Sequence, residues 1–234
     1  MRLSVTDGRK SSFLLLSLFA VVLAFQFGCG EKEDTLGVPR IVAERTVRVG
    51  DVIDGDTIDT EDGERLRFLG MDTPEIWKFP GDAPDEPWGR DAANFVHLFL
   101  PVGTEIGLAF EPDNPEDMYG RTLAYLIVDG EMLNAILLRE GYADYQDYGT
   151  ELRYAEYLKR MESQARVYGK GIWEGKGRLP TPKYYVASKH GTQYHDPDSE
   201  LAPQISARNL VRLTEEWAQR FGLEPGRSVR PAAE

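Results

Sequence analysis

Residues 45–71 read RTVRVGDVIDGDTIDTEDGERLRFLGM, and the periodicity of this stretch decides the fold. Val47 and Val49 alternate with polar residues, and Val52 and Ile53 continue the run, which marks a β-strand. Asp54-Gly55-Asp56 is a turn, Thr57-Ile58-Asp59-Thr60 a second strand, and Asp62-Gly63 a second turn. Leu66, Phe68 and Leu69 carry a third strand up to Met71. Three short strands joined by tight turns make a β-meander.

Working outward, Pro74 closes the third strand and the Pro/Gly/Asp-rich segment Phe79–Pro87 is a loop. Arg90–Leu100 carries Ala93, Phe95, Val96, Phe99 and Leu100 at helical spacing. Glu105–Phe110 and Arg121–Val128 read as strands around the polar loop Glu111–Gly120. Met132–Arg139 is a short helix ended by Gly141, and Leu152–Val167 a longer one with Tyr154, Tyr157, Leu158, Met161 and Ala165 on one face. Gly169, Gly171 and Gly175 then close the domain near residue 177. Five strands with a helix between the third and fourth predict an α+β fold, a five-stranded Greek-key barrel of OB type with three helices. Residues 178–234 form a small α/β appendage, with a strand at Tyr184–Lys189 and a helix over Asn209–Phe221 that places Leu210, Leu213, Trp217 and Phe221 on one face.

The N-terminus has a different texture. Arg9 and Lys10 precede the apolar run Phe13–Phe27, broken only by Ser17 and Gln26. About 15 apolar residues after a basic start suit a signal peptide, because a spanning helix needs about 20. Gly28-Cys29-Gly30 follows and resembles a bacterial lipobox, although Gln26 departs from the preferred leucine. The expected organisation is a signal peptide over 1–28, lipid attachment at Cys29 with a polar tether over 29–44, a barrel domain over 45–177 and the appendage over 178–234. The destination is the cell envelope, as a membrane lipoprotein with an outer membrane as one site, or the exterior as a secreted protein.

Of 234 residues, 27 are basic and 39 acidic, for a formal charge of −12, and the acidity is concentrated in residues 29–177. Proteins that coat nucleic acid electrostatically are usually basic, so this class is disfavoured. The single cysteine leaves no internal disulfide partner and excludes a zinc site built on two or four cysteines. A monomer is expected.

Three motifs carry chemistry in combination: Asp54-Gly55-Asp56-Thr57 at a strand turn, Arg67–Glu75 at the end of a strand, and Tyr119-Gly120-Arg121 at the start of another. Asp56 and Asp72 would offer hard oxygen ligands from adjacent strand ends, which suit Ca²⁺ or Mg²⁺ better than zinc. Pro74 fixes the backbone beyond Asp72 and would help turn the Thr73 carbonyl outward as a third ligand. Glu75 lies close enough to reach a metal's water shell. Arg67 and Asp72 are five apart and leave opposite faces of an ideal strand, so both reach one site only if the strand is twisted or bulged between them. A divalent ion, a carboxylate near water and two guanidinium forks suit in-line attack on a phosphodiester.

Asp54–Thr57, Arg67–Glu75, Tyr119–Arg121 and the later Leu158–Trp173, all in order, resemble the staphylococcal nuclease (thermonuclease) family. Leu123-Ala124-Tyr125, Asp129-Gly130, Asn134 and the pair Trp88-Gly89 fall in register with it. The resemblance implies an OB-fold barrel and calcium-dependent hydrolysis of DNA and RNA. By position it implies that Asp56, Asp72 and the Thr73 carbonyl bind Ca²⁺, that Glu75 activates the attacking water, and that Arg67 and Arg121 clamp the phosphate. Tyr119 would lie beside the nucleotide, and Asp54 would tune the charge near the metal.

There are departures. Met118 stands where the family often has lysine, and the tyrosines of Tyr142–Tyr148 are shifted in register, leaving Tyr145 and Tyr148 as open candidates for stacking on a base. The acidity implies weak affinity for long DNA at physiological salt. The alternative is a catalytically silent OB module that binds single strands or a protein. The appendage resembles the zinc module of adaptive-response DNA-repair methyltransferases, but its ligand positions are His195, Ser199, Gly226 and Val229. Only His195 could hold a metal, so no zinc site is expected there.

Overall fold

In the computed structural model, residues 38–77, 84–113, 116–147, 149 and 151–229 are described. The signal peptide, Cys29, most of the tether, part of the Phe79–Pro87 loop and Tyr148 lie outside the described residues.

The meander forms as β1 (Arg45–Val52), β2 (Thr57–Thr60) and β3 (Arg65–Phe68). The register of β1 against β2 shifts between Val49 and Asp51. Gly50 sits at that bulge, where any Cβ would lie 2.7 Å from the Thr60 carbonyl. This is the break in alternation visible between Val49 and Val52, and it lets the strand bend around the barrel. After β3 comes β4 (Met71–Asp72), then α1 (Gly89–Phe99), β5 (Glu105–Ala109), β6 (Thr122–Val128) and β7 (Glu131–Met132). The sheet order is β3-β2-β1-β5-β6-β7, and β3 also pairs with β6 in parallel, Arg67 opposite Leu123. That pairing closes a five-stranded barrel and removes its edges, as the sequence predicts.

The barrel core is Val49, Ile58, Leu66, Phe68, Leu108, Leu123 and Leu126, all but excluded from solvent. On it pack α1, then α2 (Leu133–Glu140) and α3 (Ala155–Tyr168), with β8 (Asp144–Tyr145) between the last two helices. Asn134, wholly buried, ties α2 to the barrel: its side chain accepts from the Leu126 N–H and donates to the carbonyls of Leu69 and Ala124. The chain is already seated on the domain before Arg45, because Pro39 is buried and Ile41 packs against the core.

The C-terminal segment forms β9 (Tyr184–Ser188), β10 (Gln193–His195), β11 (Leu210–Thr214), α4 (Glu215–Arg220) and β12 (Glu224–Pro225), in sheet order β11-β9-β10-β12. The helix expected over Asn209–Phe221 is corrected here: residues 210–214 are a strand paired with β9, and only 215–220 are helical. Leu210 and Leu213 fit helical spacing, but Leu-Val-Arg-Leu-Thr also suits a half-buried strand, and pairing with β9 decides between them. Trp217, 2% exposed, packs edge-on against Phe95 of α1 with ring centroids 5.0 Å apart.

Candidate active site

Strand geometry brings the acidic residues and Arg67 together. Leu69 is fixed by Asn134, and Gly70 follows with φ +77°, a left-handed conformation that glycine adopts without steric cost. The chain therefore breaks from β3 and re-forms as β4, which pairs with β8 rather than with the barrel. This break carries Asp72 to the same side as Arg67, as the spacing of the two residues requires.

Asp56, 2% exposed, follows the Asp54 turn, in which the Asp54 carboxylate accepts the Asp56 N–H at 3.3 Å. One oxygen of Asp56 accepts the Thr57 hydroxyl at 3.0 Å and pairs with Arg67. The other accepts both the backbone N–H and the hydroxyl of Thr73 at 2.9 Å. The second arm of the Arg67 guanidinium pairs with Asp72, whose side chain remains 47% exposed. Arg67 thus bridges a buried and an open carboxylate. Glu75 belongs to the same acidic surround: burial and the negative charges of Asp54 and Asp72 raise its pKa above the ordinary glutamate value, while Arg67 opposes them.

Arg121 is engaged on its own turn. Its Nε donates to Asp117 Oδ2 at 2.6 Å, its backbone N–H to Asp117 Oδ1 at 3.0 Å, and its guanidinium lies 5.5 Å from the Tyr119 ring. Burial alone would raise the pKa of Asp117, but the hydrogen bonds from Arg121 and Tyr119 outweigh it and lower it. Tyr119 and Met118 are 75% and 88% exposed at this turn. The parallel β3–β6 pairing sets Arg121 at the strand start beside Arg67's strand.

Of the candidate tyrosines, Tyr145 is half-buried in β8 with the Lys159 ammonium 5.3 Å from its ring. Tyr142 is a core residue at 1% exposure. Sequence reasoning missed Asp117 as the partner of Arg121, although the i,i+4 spacing across a Tyr-Gly turn was a usable signal. It also missed Asp144, which sits opposite Asp72 in the β4–β8 pair and whose pKa is raised by burial and by Asp72.

Among the described residues, no three His, Cys, Asp or Glu side chains converge as a ready-made metal cage. The donor chemistry still fits a hard cation. Asp56 and Asp72 already share one positive charge, that of Arg67, and Glu75 stays raised by burial first and then by the negative charges of Asp54 and Asp72. A cation held by both carboxylates would have to displace that guanidinium. In the appendage, the His195 Nδ1 is buried without a hydrogen-bond partner and faces Gly226, one of the positions aligned with the zinc module.

A family model described as "Staphylococcal nuclease homologue" matches residues 65–175. The thermonuclease of Staphylococcus intermedius is 35% identical over 165 residues, 69% of this chain and 95% of the relative. The thermonuclease of Staphylococcus hyicus is 40% identical over 134 residues, covering 56% and 76% of the two chains. Endonuclease YncB of Bacillus subtilis (strain 168) is 31% identical over 154 residues, covering 63% and 72%. With the barrel, the Arg67 bridge and these similarities in place, the chain belongs to the staphylococcal nuclease family.

Proposed function

We propose that this nuclease is a Ca²⁺-dependent hydrolase that cleaves phosphodiester bonds within both DNA and RNA. The observation that carries the reading is the Arg67 guanidinium held between Asp56 and Asp72, with Glu75 in the same acidic surround. The thermonuclease and endonuclease names of the relatives support it.

When bound, Ca²⁺ would be held by the Asp56 and Asp72 carboxylates and the Thr73 carbonyl, and would draw negative charge from the phosphate oxygens. The protein's own groups do the rest. Thr57 and Thr73 fix the Asp56 carboxylate, so its position costs little reorganisation. Glu75 takes the proton of the attacking water through a carboxylate oxygen while the water oxygen bonds to phosphorus. The P–O bond to one sugar oxygen breaks, and that oxygen leaves and takes a proton from solvent. Arg67, released from its carboxylates, and Arg121, presented by Asp117, donate hydrogen bonds to the phosphate as charge builds on it. Tyr119, exposed beside Arg121, offers an apolar face to the nucleotide.

The test is digestion of plasmid DNA and of RNA by the protein, with Ca²⁺ and with EGTA. Cleavage of both that EGTA abolishes is expected. Binding without cleavage in either condition would leave the silent binding module as the better reading.

We also infer export, with Cys29 as lipid anchor. A basic start, an apolar run and a cysteine at its end support it. Among the described residues no helix is long and apolar enough to cross a membrane. The acidic chain is not drawn to an anionic bilayer, so acyl chains would have to supply attachment, and two or more anchor stably. Intact mass of the membrane fraction tests this: a mature chain beginning after residue 29 without acyl mass would make the protein freely secreted.

A further inference from the structure

The first turn of α1 is clamped by a residue from the far end of the chain. Arg212 of β11 spans the Asp91 carboxylate, its Nη2 at 2.8 Å from Oδ2 and its Nε at 3.2 Å from Oδ1, and its backbone N–H donates to Oδ1 at 2.6 Å. The same guanidinium lies 3.7 Å from the ring centroid of Trp88. Its carbonyl accepts the Tyr142 hydroxyl at 2.5 Å. The neighbouring Leu210 carbonyl accepts from Asn94, one turn further along α1, at 2.7 Å. Arg212 lies outside residues 65–175, the part that matches the family model.

What Arg212 grips is connected to Glu75. Trp88 precedes α1 with φ +73°, a conformation a tryptophan keeps only when its surroundings hold it, and its ring is enclosed by Arg212, Tyr184 and Tyr142. Gly89 then presses directly on the segment carrying the base: any Cβ there would lie 2.6 Å from the Pro74 carbonyl oxygen and 2.9 Å from that of Glu75. Glu86 closes the connection. Its N–H donates to the Glu75 carbonyl at 2.9 Å, its carboxylate accepts the Glu75 N–H at 3.0 Å, and its carbonyl accepts the Gly89 N–H at 3.0 Å. The path from Arg212 through Trp88 and Gly89 to Glu75 consists entirely of direct contacts.

We infer that Arg212 is a positioning residue: through the Trp88–Gly89 turn, the C-terminal segment sets the main chain of Glu75 in the geometry that water activation requires. The inference rests on the nuclease reading, with Glu75 as proton acceptor. Arg212 touches neither substrate nor reacting atoms. It acts by restricting where the Glu75 carboxylate can be, and small displacements of such groups cost rate steeply.

The experiment compares the full chain with two variants. Arg212→Met keeps an unbranched aliphatic stem but loses the guanidinium that lies over Trp88 and spans Asp91, and Arg212→Lys keeps the charge but cannot span both oxygens of Asp91. Turnover is measured on DNA well below each variant's unfolding midpoint, and amide hydrogen exchange is followed at Glu75 and Glu86 with the β5 and β6 amides as reference. The expected result for Arg212→Met is a kcat lower by on the order of 10- to 100-fold at unchanged KM. Exchange at Glu75 and Glu86 should be faster and that of the barrel unchanged. Arg212→Lys should fall between, and it carries the test if the Met variant does not fold. Adding Arg212→Met to Glu75→Gln should cost nothing further, because both remove the same contribution. Normal kcat in the Arg212 variants beside an impaired Glu75→Gln, or losses that multiply in the double variant, would overturn this inference alone. Full activity of Glu75→Gln would overturn the assignment of Glu75 and the inference with it.

Discussion

Arg67 and Asp56 form an ion pair in which the guanidinium side chain is 11% exposed and the carboxylate 3%. Asp56 has three further donors, from Thr57 and Thr73, so its charge is fixed in place whether or not Arg67 remains. Removing one partner of a buried pair leaves an uncompensated charge, which typically costs about 3–5 kcal/mol. Arg67→Ala should therefore destabilise the protein in metal-free buffer by roughly the lower end of that range, read by urea unfolding. Below its unfolding midpoint it should also lose on the order of 10²–10³ in kcat, as when one preorganised donor to an oxyanion is lost. Reduced stability with wild-type turnover would remove Arg67 from the chemistry.

Arg121 is coupled to Asp117 on its own turn, so its removal has a signature in acid. Asp117 has a lowered pKa in the folded protein, so it contributes stability above its unfolded pKa. That contribution is lost as pH falls from the unfolded value, about 3.9, through the folded one. Arg121→Ala removes the Nε hydrogen bond and the positive charge that lower Asp117, leaving only the backbone N–H donors of residues 119 and 121, and the acid-unfolding midpoint should move to higher pH. At neutral pH, where the lowered Asp117 contributes in full, stability should fall modestly, whereas DNA cleavage should fall steeply. An unmoved acid midpoint would show that Asp117 is not held by Arg121 in solution.

Gly70 carries the break that brings Arg67 and Asp72 to one side. With φ +77°, an alanine there is strained by roughly 1–2 kcal/mol, and its Cβ would also meet Leu158 of α3. Gly70→Ala should lower the thermal midpoint and also lower kcat, because the relaxed backbone no longer places Asp72 beside Arg67. A variant that is less stable but fully active at low temperature would show that the break is not needed for the site.

This glycine also shows how much of the molecule was legible in sequence. The five barrel strands and α1 to α3 announce themselves, because half-buried strands and amphipathic helices impose their periods on short windows. The conflict between Arg67 and Asp72 on an ideal strand already demanded a break, and Gly70 supplied it. Leu210–Thr214 fitted two periods, and only pairing with β9 chose between them. Arg212 was invisible as a clamp because its partner Asp91 lies 121 residues away, and a single sequence contains no signal for that contact. Asp56 and Asp72 were legible as a pair of hard donors, but not the guanidinium now bridging them, since ion pairing depends on distances that spacing does not fix.

His97, in the last turn of α1, packs edge-on against His190 with ring centroids 5.4 Å apart. Burial, then Lys189 and His190, lower its pKa, and Asp51 opposes them weakly. A histidine lowered on folding takes up its proton more readily when unfolded, so stability falls as pH drops through the unfolded value, about 6.5. The thermal midpoint of the wild type should decline between pH 7.5 and 5.5, and His97→Gln should flatten that decline. An equal slope in the variant would assign the dependence to other groups.

Asp56 gives the sharpest test of the cation. Asparagine there keeps the size of the side chain and removes the charge that a cation and Arg67 would share, at the cost of turning one of two hydrogen-bond-accepting oxygens into a donor. A ligand that binds only the folded state stabilises it by RT ln(1 + [L]/Kd), about 2.7 kcal/mol at a hundredfold excess over Kd. Wild-type protein should gain a corresponding rise in thermal midpoint with Ca²⁺, and Asp56→Asn should lose it. Asp72→Asn should lose less of the rise, because Asp72 is 47% exposed and its charge is already partly screened by water. Arg67→Ala should behave in the opposite sense. With the competing guanidinium gone, Ca²⁺ should stabilise this variant more than the wild type, even though it no longer cleaves DNA. That combination separates a metal held by these carboxylates from one bound elsewhere on an acidic surface, where none of the three substitutions would change the calcium-induced shift.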